Sequence, residues 1–468
     1  MTRLSTSDAS FYRLENTATP MYVGSLSILR RPRAGLSYEA LLATVALRLA
    51  QVPRYRQKVR EVTLGLARPV WVDDRDFDLT YHVRRSALPS PGSDQQLHEL
   101  ISRLAARPLD KSRPLWEMYL VEGLARNRIA LYTKSHQALI NGMTALEIGH
   151  IIGDRSRRPA TIGEDIWVPA REPGGTRLLL GAIGDWATRP RAQLQAVGAG
   201  LTTLVTNSGQ VAEAGRRVVG VARTFALGNA PSSPLNARVS RNRRFTVARG
   251  RLEDYRMVRS RYSCDIHDVV LAVITGALRN WLLSRGEAVP PTATVRAMAP
   301  LPVYVDENFD SASRGQAISE VAPFLVDLPV GEGNAVVRLS QIAHATESNP
   351  TAASLVDART IVTLSGFAPP TLHAMGIRVA TSLSSRLFNL LITNAPGAQS
   401  QMYVAGAKLL ETYAVPPLLN KQVLALGVTS YNGTLYFGIN ADRDAMSDVD
   451  VLPGLLTESL DELLEAAR

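Results

Sequence analysis

The residues whose types are best suited to catalysis lie in one short segment. His136 and Gln137 are adjacent in it, and Asn141-Gly142 follow. A histidine suits general-base catalysis because its unperturbed pKa, about 6.5, lies near neutral pH. A glutamine amide donates and accepts hydrogen bonds but takes up no proton near neutral pH. The segment therefore offers one proton acceptor and one side chain that can only orient a reacting group.

The elements around this segment are predicted from its sequence pattern. Residues 128–139 suit a strand, with β-branched and aromatic residues at the centre, Asn141-Gly142 suits a turn, and residues 143–152 have helical spacing. A strand, a tight turn and a helix in succession can display a side chain at the end of a sheet. Neighbouring side chains of a strand point to opposite faces, so His136 and Gln137 are expected on opposite faces unless the strand bulges.

The rest of the chain mixes helical and strand-like patterns. Asn432-Gly433, between two apolar runs, is a strong type I′ hairpin signal. The absence of a regular βαβ rhythm predicts an α+β, or mixed-sheet, fold class. Further segments predicted as helices or strands are 40–49, 93–106, 268–283 and 450–467 (helices) and 388–393, 421–431 and 434–440 (strands).

The chain of 468 residues is long enough for two to three domains. We predict a first domain over residues 1–175, a helical crossover or linker over 176–243, and a second domain over 244–468. The Ala-, Gly- and Val-rich stretch 179–227 has two interpretations. A crossover helix packed between domains is favoured over an amphipathic segment that binds lipid.

The composition excludes some classes of protein. A net charge of +10, almost all of it from arginine, favours anionic partners such as lipid headgroups, although an arginine-rich proteome explains it equally well. No nucleic-acid-binding motif, glycine-rich nucleotide loop or zinc-type spacing accompanies the charge, so nucleic acid and metal are not expected. Cys264 is the only cysteine, which fits a reducing compartment. The polar N-terminus and the lack of an apolar run of about 18 residues indicate neither a signal peptide nor a membrane span.

Several blocks together resemble one known family, the bacterial wax ester synthase/diacylglycerol acyltransferases, especially their actinobacterial triacylglycerol synthase branch. The segment around His136 resembles the His-His-x-x-x-Asp-Gly motif of acyl-CoA-dependent acyltransferases. Five blocks in the family's order make the resemblance specific. The other four are Leu4 to Ala9 with Ala18 to Gly24, Ser112 to Glu117 with Gly123-Leu124, Asp268 to Ala272, and Asn394 to Gly397.

The resemblance implies two chloramphenicol-acetyltransferase-like domains, joined by a helical crossover, with a tunnel between them that passes His136-Gln137. It implies transfer of a fatty acyl group from long-chain acyl-CoA, the co-substrate, to diacylglycerol or a long-chain alcohol, with no further cofactor. It also implies a cytoplasmic protein, with peripheral contact at the inner face of the plasma membrane or at a lipid droplet.

The site residues implied by the resemblance are His136, Gln137, Asn141 and Gly142. In the family the second His of the motif is the general base, and Gln137 occupies that position. His136 matches the first His, for which a structural role is favoured over that of a substitute base. Asn141 replaces an architectural Asp without its charge, and Gly142 is kept for the turn.

Three further positions in the family's blocks bear on whether the chain is active. His267 stands where the family has Asn, Asp268 is expected to cap its helix, and Trp116 is expected in the core. The favoured hypothesis is a diacylglycerol O-acyltransferase with reduced activity. The alternatives are a non-catalytic acyl-CoA- or lipid-binding paralogue, and a related acyltransferase or hydrolase with a relocated base.

Overall fold

The computed structural model describes residues 2–32, 36–62, 68–140, 148–157, 167–174, 230–300, 323–347, 387–395 and 397–468. Within these residues the strands are β1 (Thr2–Arg3), β2 (Tyr22–Arg30), β3 (Gln57–Arg60), β4 (Val70–Asp73), β5 (Val83–Ala87), β6 (Trp116–Leu124), β7 (Arg128–His136), β8 (Gly153–Asp154), β9 (Arg243–Arg251), β10 (Val295–Pro300), β11 (Pro323–Leu328), β12 (Leu390–Ala395), β13 (Tyr403–Val404), β14 (Ala407–Val415), β15 (Leu424–Tyr431) and β16 (Thr434–Asp442). The α-helices are α1 (Thr6–Leu14), α2 (Tyr38–Leu49), α3 (Leu79–His82), α4 (Asp94–Ala106), α5 (Gln137–Ile140), α6 (Ile148–Ile151), α7 (Leu252–Tyr262), α8 (Ile266–Ser284), α9 (Ala335–Glu347) and α10 (Leu452–Ala467).

Two mixed sheets organise these elements. The first has the order β5-β6-β7-β2-β14-β13-β8, and its central strands β6, β7, β2 and β14 pair antiparallel. The second has the order β11-β10-β12-β15-β16-β9, in which β12 runs parallel to both of its neighbours. A small antiparallel sheet, β1-β4-β3, accompanies the first. The mixed-sheet fold class predicted from the sequence is confirmed.

The first sheet includes two strands from the C-terminal half of the chain. Strands β13 and β14 come from the C-terminal half, but β14 pairs with β2 and β13 pairs with β8 in the first sheet. The sequence boundary at residue 244 is therefore not the boundary between the sheets. The division into 1–175, 176–243 and 244–468 stays a prediction, because residues 175–229 lie outside the described residues, as does the stretch 179–227.

Two glycines, which have no side chain, let β14 approach the second sheet closely. A Cβ on Gly438 of β16 would lie 1.8 Å from the carbonyl oxygen of Ala414, and one on Gly427 of β15 would lie 2.7 Å from the Ala414 Cβ. Beside this contact, Tyr413 packs edge-on against Tyr436 with ring centroids 5.2 Å apart. The two sheets therefore share a packed interface.

Local sequence signals explain where the elements begin. At the start of α4, Ser93 Oγ accepts the Gln96 N–H and the Gln96 side chain accepts the Ser93 N–H, a reciprocal capping box. The hairpin between β15 and β16 turns at Asn432 and Gly433, which both have positive φ, as a type I′ turn requires. The predicted hairpin is confirmed, and so are the predicted helices within α2, α4, α8 and α10, whose boundaries agree within two residues.

One prediction about the motif segment was wrong in part. The strand predicted over residues 128–139 ends at His136, and Gln137 begins the short helix α5. The predicted turn at Asn141-Gly142 and the first half of the helix predicted over residues 143–152 lie outside the described residues, and the described half contains the short helix α6.

Helix α8 forms the centre of the second half. Its 19 residues are long and apolar enough to cross a membrane, which is weak evidence by itself, and 78% of its most apolar window is buried inside the protein. Trp281 of this helix is fully buried in the core of that half. The helix is therefore packed as a core helix. It is the one such candidate in the part of the chain that the structure describes.

Candidate active site

The motif lies at the end of a central strand of the first sheet. His136 is the last residue of β7, opposite Tyr22 of β2, and its side chain is fully buried. Its N–H donates to the Leu115 carbonyl at 2.9 Å, and the Gln137 N–H donates to the Met21 carbonyl at 2.9 Å. The backbone of the motif is thus hydrogen-bonded to β2 and to the loops that precede β2 and β6.

The imidazole of His136 is engaged within the protein. Its Nδ1 accepts a hydrogen bond from the Ala138 N–H at 3.0 Å. In the neutral ring this assigns the proton to Nε2, which lies 3.7 Å from Oε2 of Glu15. Burial, with a smaller contribution from the charge of Lys111, lowers the pKa of His136 to about 3. The single lone pair of the neutral ring is therefore directed at a backbone amide.

Gln137 is less buried than His136, and each of the two side chains has one polar atom without a hydrogen-bond partner among the described residues, which for His136 is Nε2. The Gln137 side chain is half-buried, and its unpartnered atom is Oε1. A carboxamide oxygen in this state can accept a hydrogen bond from an incoming group. Because Gln137 begins a helical turn, the strict alternation expected of a strand no longer applies at this position.

The catalytic assignment of these positions stays a prediction. The structure brings His136 and Gln137 together at the junction of β7 and α5. Asn141 and Gly142 lie outside the described residues. The tunnel expected beside the motif also stays a prediction, because residues 141–147 lie outside the described residues.

Sequence reasoning missed a charged pair beside the motif. Glu15, directly after α1, lies 2.9 Å from Lys111 Nζ through Oε2, and its Oε1 accepts the Met21 N–H at 3.3 Å. Lys111 also donates to the Tyr12 carbonyl at 3.0 Å, and its Nζ lies 4.4 Å from the centroid of the Tyr12 ring. The one available signal was the position of Glu15 just before the block 18–24 that resembles the family's opening, and it says nothing about spatial proximity.

A second charged cluster lies two residues earlier on β7. Lys134 is fully buried and donates to Glu117 at 3.1 Å and to the Arg107 carbonyl at 2.9 Å. Glu117 also accepts a hydrogen bond from Tyr119 and lies 3.3 Å from Arg84. Burial lowers the pKa of Lys134, but the facing carboxylate opposes that shift. The ammonium is satisfied by its partners, so Lys134 stabilises the strand next to the motif.

Three further residues were singled out in the sequence, namely Trp116, Asp268 and His267. Trp116 is fully buried, donates to the Tyr55 carbonyl at 2.8 Å and stacks on His82, as expected of a core aromatic. Asp268 accepts the Asp265 N–H at 2.9 Å at the start of α8, as expected of a capping residue. Burial lowers the pKa of His267, the next residue towards the N-terminus.

A cavity of about 230 Å³ lies between the halves, at a distance from the motif. Its walls include Ile28 and Arg128 from the first half and Arg249 and Glu411 from the second. Arg128 and His136 are the two ends of the nine-residue strand β7, so about 26 Å of extended strand separates this cavity from the motif. Within the described residues, no three His, Cys, Asp or Glu side chains are grouped so that they could hold a metal ion.

Comparison with known families identifies the chain. The model of the wax ester synthase/diacylglycerol acyltransferase catalytic domain matches residues 4–270, and that of the family's C-terminal domain matches residues 320–464. The chain belongs to this family. The two matches include the motif segment, the whole first sheet and every strand of the second sheet except β10, so the resemblance noted in the sequence is confirmed.

Individual members of the family are similar to this chain over different lengths. The probable diacylglycerol O-acyltransferase tgs3 of Mycobacterium tuberculosis is 78% identical over 265 residues, 57% of this chain and 98% of that protein. The probable diacylglycerol O-acyltransferase tgs1 of the same organism is 29% identical over 100% of this chain and 97% of its own length.

Solved structures agree with this family assignment. The wax ester synthase/diacylglycerol acyltransferase from Marinobacter aquaeolei VT8 is 25% identical, with a TM-score of 0.68 and full coverage of both chains. The first condensation domain of the CDA synthetase is 13% identical, with a TM-score of 0.58 and coverage of 100% of this chain and 97% of that one. The second likeness shows the fold alone. Together they confirm the predicted two-domain acyltransferase fold.

Proposed function

We propose that this family member is an acyl-CoA-dependent O-acyltransferase that makes triacylglycerol from diacylglycerol at a reduced rate. The membership of the chain in the family, over both family domains, carries the proposal for the reaction. The names of the relatives tgs3 and tgs1 support diacylglycerol as the acceptor. A long-chain alcohol, giving a wax ester, is the second acceptor that the family description supports.

The reaction requires a proton to leave the acceptor. The hydroxyl oxygen attacks the thioester carbonyl carbon, the C–O bond forms, the C–S bond breaks, and CoA leaves as a thiolate that takes up a proton. A positioned general base typically contributes about 10²–10⁴-fold to such a step. Binding the two substrates in line contributes separately and needs no proton acceptor.

The local geometry supports a rate without the full contribution of a base. The lone pair of His136 accepts the Ala138 N–H, and burial holds the ring neutral. The Oε1 of Gln137 has no hydrogen-bond partner among the described residues and can accept a hydrogen bond from the attacking hydroxyl. Gln137 would then orient the acceptor, while the proton passes to water or to the departing sulfur.

The test compares the natural protein with Gln137→His in an assay of labelled long-chain acyl-CoA and diacylglycerol. We expect slow formation of triacylglycerol by the natural protein and a rise in kcat on the order of 10² in the variant. Gln137→Asn, which keeps a carboxamide, is the matched control and should not raise kcat. If neither protein turns over but both bind acyl-CoA, the chain is a binding paralogue.

We also propose that the protein meets its lipid substrates at a membrane or lipid-droplet surface, as a peripheral cytoplasmic protein. The insolubility of diacylglycerol and the net charge of +10 support this proposal. Sedimentation with vesicles that contain anionic phospholipid should recover the protein at low salt, and recovery should fall as ionic strength rises. Equal recovery with neutral vesicles would contradict an electrostatic contribution.

A further inference from the structure

The loop between α1 and β2, residues 15–21, connects three parts of the molecule. At one end Glu15 follows α1, and at the other Met21 leads into β2. Within the loop the side-chain oxygen of Asn16 accepts the Thr19 N–H at 3.0 Å. Thr19 itself is buried although it lies in a loop. The loop therefore has a defined conformation, fixed partly by its own side chains.

The loop forms a direct link to the motif. The Met21 carbonyl accepts the Gln137 N–H at 2.9 Å, and the Met21 N–H donates to Oε1 of Glu15 at 3.3 Å. Two consecutive hydrogen bonds thus connect the Glu15 carboxylate to the backbone of Gln137. The second oxygen of the same carboxylate lies 3.7 Å from Nε2 of His136. One buried side chain consequently contacts the surroundings of both motif residues.

The charge of Glu15 is compensated on the spot. Its side chain is 5% exposed, and Lys111 lies 2.9 Å from it. Lys111 is held in turn by the Tyr12 carbonyl, and the Tyr12 ring lies edge-on to the His136 ring with centroids 6.1 Å apart. Glu15, Lys111, Tyr12 and His136 therefore form a closed group of contacts. A carboxylate at this place is costly to bury unless it is paired, and here it is paired.

The same loop is held from the second half of the molecule. Arg243, the first residue of β9, donates to the Ala18 carbonyl and to the Ser240 carbonyl, the latter at 2.8 Å. Its side chain also lies 3.8 Å from Asp442 of β16. The loop is thus fixed between the second sheet, through Arg243, and the motif, through Met21.

We propose that Glu15 is a positioning residue for the motif, which fixes the Gln137 backbone through Met21 and limits the movement of the His136 ring. This inference rests on the proposed function for its catalytic consequence, but not for its structural one. A Gln at position 15 keeps one oxygen that can accept the Met21 N–H, but it loses the charge and replaces the oxygen that faces Lys111 with an NH₂ donor. An Ala removes the oxygen altogether.

The experiment measures hydrogen exchange of the Gln137 amide and acyl transfer in the full-length protein. In Glu15→Ala we expect the amide to exchange about tenfold faster, because local opening no longer breaks the Met21–Glu15 hydrogen bond. In Glu15→Gln we expect exchange close to that of the natural protein. Glu122→Ala is the matched control. It also removes a paired carboxylate, which lies 2.8 Å from Arg85, but Glu122 is not in contact with the motif.

The kinetic arm separates positioning from general stability. Measured in the Gln137→His background, kcat should fall about tenfold in Glu15→Ala, while KM for acyl-CoA stays unchanged and Glu15→Gln restores kcat. Unchanged Gln137 exchange in a folded Glu15→Ala protein would overturn the inference. If Glu15→Ala does not fold, the test rests on Glu15→Gln. Faster exchange of the Gln137 amide in that variant than in the natural protein would overturn the role of the retained oxygen. If no variant transfers an acyl group, the proposed function fails, and the exchange arm still decides the role of Glu15.

Discussion

The pH dependence of stability tests the environment of His136 directly. An unfolded histidine has a pKa of about 6.5, whereas burial lowers the pKa of the folded His136 to about 3. The unfolded chain therefore takes up the proton first as pH falls. The contribution of this side chain is fully present above pH 6.5 and is lost as pH falls towards 3. Between pH 8 and pH 5 the linkage relation gives a loss of about 2 kcal/mol.

The substitution His136→Asn isolates that contribution. The Asn Oδ1 can replace Nδ1 as the acceptor of the Ala138 N–H, but the side chain does not titrate. Urea unfolding followed by tryptophan fluorescence at pH 8, 6.5 and 5 gives the free energy of unfolding of both proteins. The advantage of the natural protein over the variant should shrink by about 2 kcal/mol from pH 8 to pH 5. An advantage that does not change with pH would mean that His136 titrates normally and is open to solvent or substrate, which would refute the reasoning.

Two further predictions concern the contact between the two sheets and the buried ion pair on β7 next to the motif. Gly438→Ala should destabilise the protein by about 1–3 kcal/mol, because the new Cβ meets the Ala414 carbonyl at the contact between the sheets. Gly454→Ala, whose Cβ meets nothing within 4 Å in α10, should change the free energy of unfolding by less than about 1 kcal/mol. Lys134→Met should cost about 3–5 kcal/mol in urea unfolding, because it leaves Glu117 buried with one cation fewer. Adding Glu117→Leu to Lys134→Met should recover part of that loss, and no recovery would contradict the ion-pair explanation.

The sequence predicted the local elements better than their arrangement. Helix α8 and the hairpin at Asn432-Gly433 depend on periodicity and turn chemistry within a few residues, and both were predicted closely. The pairing of β14 with β2 in the first sheet depends on contacts between positions almost 400 residues apart, such as Thr412 with Ser27. No local pattern distinguishes that partner from another buried strand. The early end of β7 was missed as well, because the hydrogen bond from the Ala138 N–H back to Nδ1 of His136 is not visible in the apolar pattern of residues 128–139.

The two motif residues were singled out from the sequence, whereas the residues that contact them were not. The motif positions His136 and Gln137 could be read from residue types and spacing. The structural role favoured for His136 agrees with its buried ring and with the bond from Ala138. Glu15 and Lys111 could not be found this way, since they are 96 residues apart in the chain and meet only in the fold.

The central claim is that the base position of this acyltransferase holds a side chain that accepts no proton. Its most direct test is kcat for triacylglycerol formation by the natural protein, Gln137→His and His136→Asn, at saturating acyl-CoA and diacylglycerol. We predict a rise in kcat on the order of 10² for Gln137→His and little change for His136→Asn. Loss of turnover in His136→Asn, with no gain in Gln137→His, would show that His136 is the base and would contradict the account.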